Sequence, residues 1–177
     1  EDDWIIAETL MKKYIINSKL FDIKLFLSDV DGTLTDAGMY YGSDGIEHKK
    51  FNTHDGKGFE LLRKNNIKTG IITSENTEIV KNRAIKLKID FLYQGLENVG
   101  KLEIAQKICN NLKIDLKNVA YVGDDINCYE LLSNVGYAAC PSNAVNKIKS
   151  IPNIIKLNKK GGNGAVREFI DKILIER

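Results

Sequence analysis

Residues 28–36 read SDVDGTLTD, and they follow the largely apolar run Ile23-Lys24-Leu25-Phe26-Leu27. The run predicts a buried strand over 24–30. It ends in Asp29 and Asp31, one residue apart, and then Gly32. Like charges so close repel unless a cation lies between them or one of them holds a proton. In an extended chain the side chains at i and i+2 point the same way. The pair therefore reads as a site for chemistry at a strand end.

The rest of the chain supplies a frame for that strand. A β-hairpin is expected over 36–54, turning at Gly42-Ser43-Asp44-Gly45 between aromatic and apolar residues. Asp55 is expected to cap a helix over 56–65 with Phe59 and Leu62 inward, and Ser74 or Asn76 a helix over 76–87. Strands are expected at 68–73, 90–95, 119–125, 135–140 and 153–157. Helices are expected at 99–112, 127–133 and 165–176. Alternation of this kind implies an α/β fold, a doubly wound, mainly parallel sheet with the hairpin inserted after the first strand.

The 177 residues suit about one domain. Apolar residues make up 43%, too many for a disordered chain. The net charge of +2 gives no general argument for nucleic acid, and no run approaches the ~20 residues of a membrane span. Cys109, Cys128 and Cys140 lack the spacing of zinc or redox sites and read as reduced thiols of a cytoplasmic protein.

Ligands of an open parallel sheet bind at the carboxyl ends of its strands. There the strands are expected to leave Asp29, Asp31 and Thr33, then Thr73 and Ser74, then Gly123, Asp124 and Asp125, with Lys101 opening a helix. Carboxylates without a His or Cys cluster suit a hard cation such as Mg²⁺. Hydroxyls and an ammonium suit phosphate oxygens. The set points to phosphoryl transfer, with a carboxylate nucleophile and a neighbouring carboxyl group handling the leaving-group proton.

DVDGTLT resembles the first motif of the haloacid dehalogenase superfamily of phosphatases. Thr73, Lys101 and Gly123-Asp124-Asp125 resemble the second, third and fourth motifs in order. The resemblance implies Asp29 as nucleophile, Asp31 as acid and base, and Mg²⁺ held by Asp29, Asp124 and the Asp31 carbonyl. It places Thr73 and Lys101 on the phosphoryl oxygens and Asp125 in support of the metal or as a helix cap. One departure stands out: relatives often carry an aspartate where this chain has Cys128.

No insert large enough for a cap domain follows the hairpin. With KKFNTHDGKG and GGNGAVRE, the chain looks like the capless subgroup that acts on phosphorylated 2-keto-3-deoxy sugar acids. This subgroup includes KDO 8-phosphate and KDN 9-phosphate phosphatases and the phosphatase-like domain of CMP-sialic acid synthetases. Its members are typically homotetramers. Ser74-Glu75 after Thr73, rather than glycine-arginine, looks more like the nine-carbon type. There Glu75, Arg83 and Lys86 match positions associated with substrate, and Arg167 is expected to reach a neighbouring site. Residues 1–19 form an expected amphipathic helix and linker before a phosphatase domain at 20–177. DWIIAE resembles the end of a cytidylyltransferase domain, which would make this chain part of a fused synthetase. The plain alternative is an ordinary helix covering an apolar patch. The rival to catalysis is a weakly active or inactive tetramerisation domain of such a fusion.

Overall fold

The computed structural model describes residues 22–96 and 100–175, together with Trp4, Ile6 and Ala7. The expected N-terminal helix and its junction with the next domain otherwise lie outside the described residues. Trp4, Ile6 and Ala7 are helical and exposed.

Six strands form one parallel sheet: β1 (Leu25–Ser28), β4 (Lys68–Ile72), β5 (Phe91–Tyr93), β6 (Val119–Val122), β7 (Tyr137–Cys140) and β8 (Ile155–Lys156). Their spatial order is β5-β4-β1-β6-β7-β8. The chain builds outward from β1 in one direction, then returns to β1's other side. The β1–β6 boundary is therefore the switch point at which such sheets open a crevice. β2 (Tyr40–Tyr41) and β3 (Glu47–His48) make the separate antiparallel hairpin, closed by Gly42 N–H donating to the Ile46 carbonyl.

Every residue of β1 is buried, as a central strand covered on both faces requires. Alternation splits its side chains between two cores. Phe26 joins Phe59 and Leu62 of α1 (Thr53–Lys64), Val80 and Ala84 of α2 (Glu78–Leu87), and Phe169 and Ile173 of α6 (Ala165–Ile175). Leu25 and Leu27 face the other way. They meet Ile104 and Ile108 of α3 (Lys101–Leu112), Leu131 of α4 (Tyr129–Asn134) and Ile148 of α5 (Asn146–Lys149). Each core rests on fully buried branched and aromatic side chains, worth about 1.5–3 kcal/mol apiece.

The helix starts differ from expectation. Asn52, not Asp55, caps α1, its side chain accepting from His54 N–H; Thr77, not Ser74 or Asn76, caps α2, accepting from Val80 N–H. The expected helix over 127–133 is a 3₁₀ turn at Ile126–Cys128 running into α4. Asp55 has another role. It is 1% exposed inside α1, and its Oδ1 accepts from the Arg167 amide in the first turn of α6. The carboxylate thus docks the C-terminal helix by its positive end.

Burial pushes the Asp55 carboxyl up to about 6, against the Arg167 amide and the charges of Arg83, Lys159 and His54. A raised carboxyl pKa means the folded state binds more protons between the unfolded and folded values. Stability therefore falls as pH rises from about 4 to 6. Asp55→Asn should match wild type near pH 4 and exceed it by about 1–3 kcal/mol at pH 8, where only wild type buries a charge. Thermal melts of both proteins across that range check this; parallel curves would show that Asp55 titrates normally.

Candidate active site

The chain leaves β1 with Asp29, whose amide donates to the Val122 carbonyl, and winds into a tight loop. The amides of Thr33, Leu34 and Thr35 all point at the Val30 carbonyl, at 3.2, 2.9 and 3.0 Å. Gly32 sits at φ +77°, and a Cβ there would overlap the Asp124 carboxylate from the end of β6. Only glycine allows both the turn and that approach. The Thr33 hydroxyl donates to Asp124 Oδ1 at 3.3 Å and ties the two loops together.

A second segment braces this loop from behind. The Asn143 side chain donates to the Gly32 carbonyl at 2.9 Å and accepts from the Gly161 amide at 2.7 Å. The Gly162 amide donates to the Thr33 carbonyl at 3.2 Å. A Cβ on Gly161 would overlap the Gly32 carbonyl, so the GGNG stretch packs backbone on backbone against the loop.

Asp29 is 4% exposed. Its Oδ1 accepts from the Val30 amide at 2.8 Å, which fixes the carboxylate's rotation. Its Oδ2 lies 2.6 Å from Lys101 Nζ, and the Cys128 thiol donates to the same oxygen at 2.9 Å. Burial opposes the Lys101 charge, but the Asp29 carboxylate outweighs it and holds the Lys101 pKa above the ordinary lysine value. Burial and the Asp29 charge push the Cys128 thiol up to about 12, so it is a neutral donor at pH 7. Tyr121, Lys101 and Asn127 Oδ1 are its other polar neighbours, at 3.1, 3.3 and 3.4 Å.

Asp31 points along the same side. Its Oδ1 lies 2.7 Å from Nζ of Lys49, a residue that sequence reasoning did not single out. Lys49 also reaches Glu75 Oε2 at 2.9 Å. Burial raises the Asp31 carboxyl above its ordinary value, against the Lys49 hydrogen bond and charge.

Asp29, Asp31, Thr73, Glu75, Asp124 and Asp125 line one cavity of about 290 Å³. Lys101 opens from an adjoining cavity of about 450 Å³ that shares Ser74 and Asn127 with it. The expected core of the site is thus brought together. Asp125 is exposed, and its carboxylate caps the 3₁₀ turn by accepting from Ile126 N–H at 2.7 Å. Three further candidates lie outside this cavity. Arg83 donates to the Asn52 carbonyl at 3.0 Å and lies over the Phe51 ring. Arg167 donates to Asp171 at 2.7 Å. Lys86 is exposed on α2. Within one chain, these three do not face the carboxylates.

The donor set also tests the fit of a metal ion. Single ligand atoms of Asp29, Asp124 and Cys128 lie within 4.8 Å of one another. Burial and the Asp29 charge push the Asp124 carboxyl up to about 7. A carboxyl held above its ordinary value by burial and a neighbouring negative charge is what a hard divalent cation relieves. The arrangement fits Mg²⁺, with Cys128 the one soft atom beside it.

Residues 95–169 match the sequence model of the haloacid dehalogenase-like hydrolases. The 3-deoxy-D-manno-octulosonate 8-phosphate phosphatase of Escherichia coli is 36% identical over 161 residues, covering 90% of this chain and 84% of that protein. The corresponding phosphatase of Moraxella catarrhalis, solved with magnesium, phosphate and KDO, superimposes with a TM-score of 0.86 at 34% identity, covering 92% of this chain and 91% of that one. The cobalt-bound form of the Haemophilus influenzae phosphatase gives 0.82 at 28% identity, covering 89% of this chain and 91% of that one.

Cys128 invites a direct test. Replacing the thiol with a carboxylate adds an oxygen donor beside Asp29 and Asp124 but adds repulsion when no cation is bound. Cys128→Asp should melt lower than wild type in EDTA, gain more from Mg²⁺, and need about tenfold less Mg²⁺ for half-maximal activity. An unchanged Mg²⁺ titration would mean that position 128 does not touch the metal shell.

Proposed function

This chain belongs to the haloacid dehalogenase-like hydrolase family, among the relatives of the 3-deoxy-D-manno-octulosonate 8-phosphate phosphatases, and from that premise we propose its reaction and substrate. It is a Mg²⁺-dependent phosphoric monoester hydrolase whose substrate is a phosphorylated 2-keto-3-deoxy sugar acid. The observation that carries the reading is the cavity in which Asp29, Asp31, Asp124 and Thr73 converge with Glu75.

Asp29 is the nucleophile. Its carboxylate oxygen bonds to phosphorus as the bond from phosphorus to the sugar oxygen breaks, and Asp31 gives the leaving alkoxide its proton. Asp31 then takes a proton from water, which attacks phosphorus and frees Asp29 and inorganic phosphate. Thr73 and Lys101 hold phosphoryl oxygens. The residues that would hold Mg²⁺ are Asp29, Asp124 and the Asp31 carbonyl, and the ion supplies charge neutralisation between carboxylates and phosphoryl group.

The resemblance of Ser74-Glu75 after Thr73 to the nine-carbon type favours KDN 9-phosphate or sialic acid 9-phosphate, and Glu75 lies on the cavity with Asp31 and Thr73. The KDO 8-phosphate phosphatases among the relatives support the eight-carbon acid as the second reading. Arg83, Lys86 and Arg167 belong to substrate only across a subunit contact. The exposed Met39, Tyr40, Tyr41 and Ile46 on the hairpin support such a contact and a homotetramer.

Phosphate release from KDN 9-phosphate, KDO 8-phosphate and p-nitrophenyl phosphate, with Mg²⁺ and with EDTA, tests the reading. The nine-carbon ester should give the highest kcat/KM and EDTA should abolish turnover. Asp29→Asn should lose about 10³-fold or more in kcat. Full turnover by that variant would remove Asp29 as nucleophile. Silence on all three esters would leave an assembly domain.

A further inference from the structure

The Lys49 ammonium is the one buried cation beside the cavity, among the described residues, that the reaction above does not use. Its side chain is 1% exposed. Nζ lies 2.7 Å from Asp31 Oδ1, 2.9 Å from Glu75 Oε2 and 3.1 Å from Glu47 Oε1. An ammonium has three N–H donors, and three carboxylates surround this one. Asp31 and Glu75 accept hydrogen bonds from it, Glu47 adds an ion-pair contact, and it does not line the cavity that Asp31 and Glu75 line. Its partners come from three separate segments: the loop after β1, the end of the hairpin and the loop after β4.

We propose that Lys49 is a positioning residue, which holds Asp31 by Oδ1 so that Oδ2 faces the leaving-group oxygen, and which sets Glu75 in register with it. The inference rests on the reading of Asp31 as acid and base. The Asp31 side chain is 34% exposed and that of Glu75 43%, so both open to the cavity while the cation that fixes them is sealed behind. Without the ammonium, two neighbouring carboxylates would repel and turn apart. A misdirected acid costs most when the departing oxygen needs a proton. Because one ammonium grips both groups, the residue facing the sugar chain and the residue protonating it keep a fixed separation.

The bland alternative is an ion pair that only ties the hairpin down. Leaving-group dependence separates the two, because kcat/KM reports the steps up to phosphoryl transfer. Nitrophenolate leaves without help, whereas a sugar alkoxide does not. Lys49→Met should lose about 100-fold in kcat/KM for the better of KDN 9-phosphate and KDO 8-phosphate, and only about threefold for p-nitrophenyl phosphate. Asp31→Asn should show the same split. Should Lys49→Met fail to fold, Glu47→Gln carries the test, since it loosens the ammonium from the hairpin side; a selective loss of about threefold on the sugar ester is expected. Equal losses on both esters in the variant that folds would overturn the proposal. Wild type that hydrolyses neither sugar acid would instead overturn the function on which it rests.

Discussion

Three carboxylates crowd the end of two adjacent strands, and that crowding organises the site. Asp29 and Asp31 leave β1, and Asp124 leaves β6 beside them. Each of the first two has its own ammonium: Lys101 against Asp29 and Lys49 against Asp31. Among the described residues Asp124 has no ion-pair partner; the Thr33 hydroxyl donates to it, the Lys101 charge acts on it from further off, and its carboxyl is still pushed up to about 7. The charge imbalance is concentrated where a divalent cation would sit. Burying unpaired charge is costly, so the fold supports this only because neighbouring groups are fixed tightly.

That fixing is mostly backbone. The loop after β1 wraps the Val30 carbonyl, Gly32 lets Asp124 approach, and Asn143 with Gly161 and Gly162 closes the loop from the far side. Asp55 in turn docks α6, which directly follows that glycine stretch. A line of part-buried polar contacts therefore runs from the C-terminal helix to the loop after β1.

The sheet and most of the site were legible because strand ends carry their chemistry at fixed places. Asp29, Asp31, Thr73 and Asp124 each follow an apolar run, and Lys101 opens a helix. Parallel topology then delivers them to one edge. Helix caps were not legible, because Asn52 and Asp55 are equally good caps by residue type, and only burial against α6 assigns Asp55 elsewhere. Lys49 was hidden among 26 basic residues in a polar hairpin. Its one local signal is Glu47, two residues earlier and on the same side of the strand. Asp31 and Glu75 meet it only through tertiary placement. Arg83 was expected at substrate and Arg167 at a neighbouring site, yet within the chain they pack against Phe51 and Asp171.

Cys128 shows how a thiol beside the carboxylates sets the balance of such a site. A carboxylate there would be a further acceptor near Asp29, needing a cation to be tolerated. The thiol is a donor instead, neutral at pH 7 and 2.9 Å from Asp29 Oδ2. Compared with a carboxylate it carries no charge and adds a hydrogen bond to Asp29, so the metal-free arrangement is less repulsive. Beside the place where Asp29 and Asp124 would hold an ion, a soft sulfur stands where a carboxylate would offer a hard oxygen. Stability without the metal and affinity for it are thus set against each other at one side chain, with Lys101 the shared neighbour that feels both.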